Sequence, residues 1–160
     1  MNRNRNLFRV VRFAVASLAL FGFAAAQPAA ADPNCKQLHG WVSIAITGDP
    51  SCTAPGGLCA IATFHGALRG EGNFVATSLT PNVDTPVTAV VLVTGDNQIH
   101  TADGDLFTKD AIVFNTIGQG EFAEVDTIIG GTGGFAGATG RLQALGSNLE
   151  GSYVAELCLP

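Results

Sequence analysis

The chain predicts a single all-β domain, an antiparallel sheet closed into a barrel of eight or so strands. Three observations carry this. Short apolar or alternating runs follow one another with no sustained helical period. Turn residues separate nearly every pair of runs, and such short connections favour hairpins. Near the carboxyl end, six of the eleven residues from Gly130 to Gly140 are glycine: Gly130, Gly131, Gly133, Gly134, Gly137 and Gly140. Residues without a Cβ adopt positive φ and let another backbone approach, so glycines repeated in a β segment suggest a bulge or a barrel corner. A sandwich is the alternative architecture.

The amino terminus reads as a secretory signal peptide over residues 1–31. Arg3, Arg5, Arg9 and Arg12 form its basic region, Phe13 to Ala26 an apolar run shorter than a membrane span, and Ala29-Ala30-Ala31 a small-residue cleavage site. Asp32-Pro33-Asn34 before Cys35 lacks the residues expected before a lipidated cysteine, so the product is expected to be soluble and secreted, periplasmic or extracellular. Residues 32–160 then form one domain of 129 residues, sufficient for a single core. Its thirteen acidic residues face only Lys36, Arg69, Lys109 and Arg141, a charge of −9. That balance argues against nucleic acid and against anionic membrane surfaces.

The expected strands are Trp41 to Thr47, Ala60 to Leu68, Asn73 to Leu79, Val87 to Thr94, Gln98 to Thr101, Leu106 to Thr116, Glu121 to Ile129, Arg141 to Leu145 and Ser152 to Leu159, some of them merging. The separators are Gly48-Asp49-Pro50, Arg69-Gly70-Glu71-Gly72, Thr80-Pro81-Asn82, Gly95-Asp96-Asn97, Ala102-Asp103-Gly104-Asp105, Gly118-Gln119-Gly120 and Gly146-Ser147-Asn148. Alternation places Ala123, Val125, Thr127 and Ile129 on one face and Glu124 and Asp126 on the other; Tyr153, Ala155 and Leu157 likewise share a face. Val87 to Val93 is apolar on both faces and needs cover outside, from a second layer, a subunit or a ligand cavity.

Four cysteines in an exported chain imply two disulfides, with three connectivities open. Cys52 and Cys59 flank a turn-rich loop. Cys35 precedes the first strand and Cys158 ends the last, so barrel closure would bring them to one rim. Cys35–Cys158 and Cys52–Cys59 are therefore expected, and the spacing offers no metal site.

No catalytic constellation is visible. Gly131-Thr132-Gly133-Gly134-Phe135-Ala136 formally fits a dinucleotide fingerprint, but Gly137 and Gly140 would interrupt the helix it must open. His39, His65 and His100 are scattered and read as ordinary strand or loop residues. Asp103, Asp105 and Asp110 lack the calcium-loop pattern and read as a solvated turn. Arg69 and Arg141 read as solvated rim. Trp41, Phe64, Phe74, Phe107, Phe114, Phe122 and Phe135 are expected in the core or lining a lumen.

The run Ile129 to Gly140, preceded by Asp103-Gly104-Asp105 and two strands, resembles the Gly-Gly-Thr-Gly-x-Phe/Tyr-x-x-Ala-x-Gly segment of the allene oxide cyclase and dirigent superfamily, particularly its secreted bacterial members. The resemblance covers the strand order from about Gly66 to Pro160 and is specific only at Gly130 to Gly140. It implies an eight-stranded antiparallel barrel with a largely apolar lumen, commonly a homotrimer, with no cofactor. In the plant enzymes the barrel holds a reactive intermediate and constrains its closure or coupling, a catalysis by orientation. The matched stretch carries no catalytic or ligand-binding residue across. Three functions follow as expectations: a barrel that binds a small apolar ligand without transforming it, a cyclase-like or dirigent-like enzyme, or an extracellular interaction module. An apolar cavity with one or two ionisable groups at its base would favour the enzyme, one with none the carrier, and a plugged lumen the module.

Overall fold

The computed structural model describes residues 34–81, 90–117 and 119–160; the signal peptide expected over residues 1–31 lies outside them. Eight strands run in chain order: β1 (Cys35–Thr47), β2 (Cys59–Gly66), β3 (Gly70–Pro81), β4 (Val90–Thr101), β5 (Gly104–Asn115), β6 (Phe122–Gly131), β7 (Thr139–Ser147) and β8 (Glu150–Cys158). Each pairs antiparallel with the next and β8 pairs with β1, giving a closed barrel. The only helical features among the described residues are single 3-10 turns at Pro55–Gly57 and Gly133–Phe135. No helix among these residues is long and apolar enough to cross a membrane.

The strands are longer than the apolar runs. β1 begins at Cys35, ahead of the expected Trp41. Gly70-Glu71-Gly72 and Gly95-Asp96-Asn97, expected as turns, lie inside β3 and β4, so two expected strands merge into β4. The reason at Gly95 is space: a Cβ there would stand 2.2 Å from the Phe74 ring, so this glycine makes room for an aromatic inside the barrel. Gly146-Ser147-Asn148 does lead into a turn, with Asn148 and Leu149 at φ 52° and 62° between the paired Ser147 and Glu150.

Closure is pinned where it was expected. Cys35 and Cys158 are directly opposite in the β1–β8 ladder and form a disulfide; Cys52–Cys59 closes the loop between β1 and β2. The Tyr153 hydroxyl, on β8, accepts a hydrogen bond from the Leu68 N–H at 2.8 Å and lies 3.0–3.1 Å from the carbonyls of Leu68 and His65, tying β8 to the β2–β3 turn. Burial pushes the Tyr153 phenol up from its ordinary pKa.

The glycine run turns the chain from β6 to β7. Register slips by one residue between Phe107 and Thr108, placing a bulge at Ile129-Gly130, where Gly130 has φ 150°. The loop is then sewn to the β4–β5 turn. Thr132 N–H donates to the Asp105 carbonyl, Asp105 N–H donates to Thr132 Oγ1, and Gly134 N–H donates to the Asp103 carbonyl. Gly140 has φ 134°, and a Cβ on it would sit 1.9 Å from the Glu156 carbonyl oxygen.

At this end the barrel is filled. Leu68, Ile99, Leu106, Ile128, Leu142, Tyr153 and Leu157 form a buried plug. Trp41 is outside it, about half exposed on the outer face, contrary to its expected place in the core or lumen.

Two outcomes check this account. Gly140→Ala meets both a left-handed φ and a backbone clash, and is expected to destabilise by more than about 3 kcal/mol, whereas Gly48→Ala, with nothing within 4 Å, changes thermal unfolding little. Removing Cys35–Cys158, which spans 123 residues, is expected to cost about 5 kcal/mol by loop-closure entropy, against about 2 kcal/mol for Cys52–Cys59, which spans 7. Denaturant unfolding of the two double-alanine variants gives the order directly.

Candidate functional site

Alternation decides what enters the barrel. From β1, Val42, Ile44 and Ile46 point inward; β2 contributes Ala60, Ala62 and Phe64, β3 Phe74, β4 Val91, Val93 and Asn97, β5 Ile112 and Phe114, and β6 Phe122 and Glu124. These side chains line a cavity of about 240 Å³ in the half of the barrel away from the plug, with Leu58, Leu79 and Leu149 at its rim. Small residues make the space. Ala60, Ala62 and Ala144 are among the lining residues and take up little of the lumen. Leu149 is held in a left-handed conformation, and its carbonyl accepts from the Ile44 N–H at 2.7 Å, locking the β7–β8 turn to the rim.

The cavity's floor is acidic. On β6 the inward residues are Phe122, Glu124, Asp126 and Ile128, while Val125 and Ile129 stand 52% and 55% exposed outside. The alternation was legible, but its acidic face turns into the barrel. Register places Asp126 directly opposite Asp110 of β5, and Asp110 opposite Gly95 of β4. Asp110 is 3% exposed, which corrects its reading as part of a solvated turn with Asp103 and Asp105.

One oxygen of each of Asp110, Glu124 and Asp126 lies within 4.8 Å of the other two. Thr108 Oγ1 donates to Asp110 Oδ1, and Asn97 hydrogen-bonds Asp110 as well. Burial, reinforced by the Glu124 and Asp110 charges, pushes Asp126 up to about 11, so it holds a proton at neutral pH. Burial also raises Glu124 to about 7, with the Asp110 charge adding to it, and Asp110 to about 6. Three carboxyls brought together out of water cannot all ionise; they share protons. Asn97 and Glu124 are the members of this cluster that also line the cavity, so a molecule inside it meets apolar walls and a floor able to give or take a proton.

The other polar residues singled out in the sequence are elsewhere. His39 and His65 are exposed. His100 pairs with Asp105 at 2.8 Å, and that contact, with a second from Gln98, holds the Asp105 carboxyl below its ordinary range. Arg69, His100, Asp103 and Phe135 border a shallow groove at the plugged end, and Arg141 lies outside near Glu156. Phe64, Phe74, Phe114 and Phe122 line the cavity. The six glycines of the carboxyl-terminal run contribute backbone to the plugged end and no side chain to the cavity, which lies at the other. Comparison with protein-family models, with curated proteins and with solved structures finds nothing that matches this chain.

The floor predicts a pH response of definite sign. All three carboxyls have folded pKa values above those of the unfolded chain, so the folded state holds more protons from about pH 4 upward. Their contribution to stability is complete below about pH 4 and is lost as pH rises, through about 6 for Asp110 and about 7 for Glu124, while that of Asp126 goes on falling toward about 11. Thermal unfolding is expected to fall by about 5 °C or more between pH 4.5 and 8, and Asp126→Asn to flatten that slope. An unchanged slope in the variant would show that the cluster does not titrate as a unit.

Proposed function

We propose that the protein is a secreted barrel of the allene oxide cyclase/dirigent-like type that binds a small, mainly apolar molecule in its lumen, with Glu124 addressing the molecule's polar end. One observation carries this: half of the barrel is filled by the plug, while the other half is an apolar cavity in whose wall Glu124 is the one ionisable side chain among the described residues. The resemblance at Gly130 to Gly140 and the eight-stranded closure agree with that type, and two disulfides suit an oxidising compartment. A cavity of about 240 Å³ suits a ligand of roughly ten heavy atoms, since about 150 Å³ accommodates benzene.

A second reading, a cyclase-like enzyme, is favoured by the same Glu124, an ionisable group at the base of an apolar cavity. It is restricted by what surrounds that group. Among the described residues no Lys, Arg or His lines the cavity, so the Glu124 carboxylate favours developing positive charge over developing negative charge. Binding is kept as the primary reading because it needs only the cavity and one polar contact, although an ionisable group at the base is the feature that favours the enzyme. A third, trimer packing, has support on the outer face, where Leu92, Val113, Ala123 and Leu145 are successive cross-strand neighbours on β4 to β7 and Leu92, Val113 and Leu145 are 43–64% exposed.

Native mass spectrometry of protein purified from its own host tests the first and third readings together, reporting retained small molecules and subunit number. Ile46→Trp, placed at the exposed rim so that the plug is undisturbed, is expected to lower the affinity for apolar probes by at least about tenfold with thermal stability unchanged. Probe binding that Ile46→Trp leaves intact would put the ligand outside the lumen. Turnover of a retained molecule, lost in Glu124→Gln, would replace carriage with catalysis.

A further inference from the structure

The chemistry of the lumen's unsatisfied atoms specifies the class of ligand, an inference that rests on the lumen-binding reading. Among the described residues, the buried side-chain atoms without a hydrogen-bond partner are Asn97 Oδ1, Asp110 Oδ2 and Asp126 Oδ1. All are acceptors. Asn97 is 7% exposed, sits on a different strand from the carboxyls, and lines the same cavity as Glu124. Because it hydrogen-bonds Asp110 while Oδ1 stays free, its amide nitrogen is the donor in that contact. A buried acceptor with no donor costs about 1–3 kcal/mol.

Among the described residues no side chain or backbone group donates to them. The proton on Asp126 is committed within the cluster, to Glu124 and Asp110. Among the described residues, no cationic side chain lines the cavity. The missing element is a donor with positive charge, attached to a body that fills apolar space.

We propose that the lumen takes a small lipophilic amine in its ammonium form. Its N–H groups would reach the Glu124 carboxylate and Asn97 Oδ1, and its apolar body would lie among Ile44, Phe64, Phe74, Val93, Ile112 and Phe114. A primary ammonium carries three donors, enough for both oxygens with one to spare. A neutral alcohol offers one donor and no charge. A bare metal ion could bridge the carboxyls but would leave the apolar half of the cavity empty.

Isothermal titration of the disulfide-intact protein at pH 7.5 with 2-phenylethylamine, 2-phenylethanol and ethylbenzene tests this with three bodies of like shape. The amine is expected to bind at least about tenfold more tightly than the alcohol, and Glu124→Gln to bring the two within about twofold. Acidification to pH 4.5 serves the same purpose without a substitution. The acidic groups facing the site are Glu124 and Asp126 from β6 and Asp110 from β5, with Asp96 of β4 acting on Asp110 through its charge; β7 contributes only Leu142 and Ala144. Protonating them is expected to erase the amine preference.

Equal affinities for amine and alcohol at pH 7.5, or a preference that acid does not move, overturn the amine assignment and leave lumen binding standing. Failure of all three compounds to bind removes the lumen-binding reading itself. Calcium or manganese that binds and excludes the amine reassigns the floor to a metal ion.

Discussion

The structure depends on one constraint, the antiparallel pairing of β1 with β8 that shuts the sheet. Closure removes both sheet edges and settles, for every strand at once, which alternate residues face inward. The Cys35–Cys158 disulfide stands on that seam, and the Tyr153 hydroxyl fastens the same strand to the β2–β3 turn. Once the seam is made, a one-residue change of register in any strand would exchange its whole inner and outer set. The acidic face of β6 is therefore held inside by its neighbours on either side, Asp110 opposite Asp126 on β5 and Leu142 opposite Asp126 on β7, not by any preference of its own.

Closure also makes the two ends unlike. At one, the glycine loop is bonded to the β4–β5 turn, and the large side chains of the plug fill the lumen. At the other, alanines and one disulfide-braced loop leave room. Rigidity at the first end is what permits a cavity at the second, because an unfilled half-barrel forfeits contacts that the packed half must supply. The floor lies where the two regimes meet.

Much of the fold was legible. Turn chemistry and alternation gave the antiparallel sheet, and the positions of Cys35 and Cys158 agreed with a closed seam. Gly95 and Gly72 were misread because a glycine that makes room for a ring looks, in sequence, like a glycine that turns the chain. The site was less legible for a related reason. Period-two alternation identifies two faces of β6 without saying which is inner, and the usual rule that carboxylates face water selects the wrong one. The signal was present in the opposite face: Val125 and Ile129 share it only with Ala123 and Thr127, so neither side of β6 is a convincing core stripe. Asp110 could not be joined to Glu124 and Asp126 until register set β5 against β6.

Buried carboxyls are costly, and apolar residues of similar volume in their place would often stabilise a core. Here three of them meet beside an amide whose oxygen is unsatisfied, at the one level where the lumen changes from filled to open. The plug and the disulfides hold the barrel closed at places apart from this cluster. A barrel that must hold a molecule with one polar end gains from it, since apolar walls supply affinity without orientation, and only a fixed polar group at the closed side sets which end enters first. Because the carboxyls already share protons, an arriving group would meet a floor whose charge adjusts to it. The cost in stability is what a floor of that kind would require.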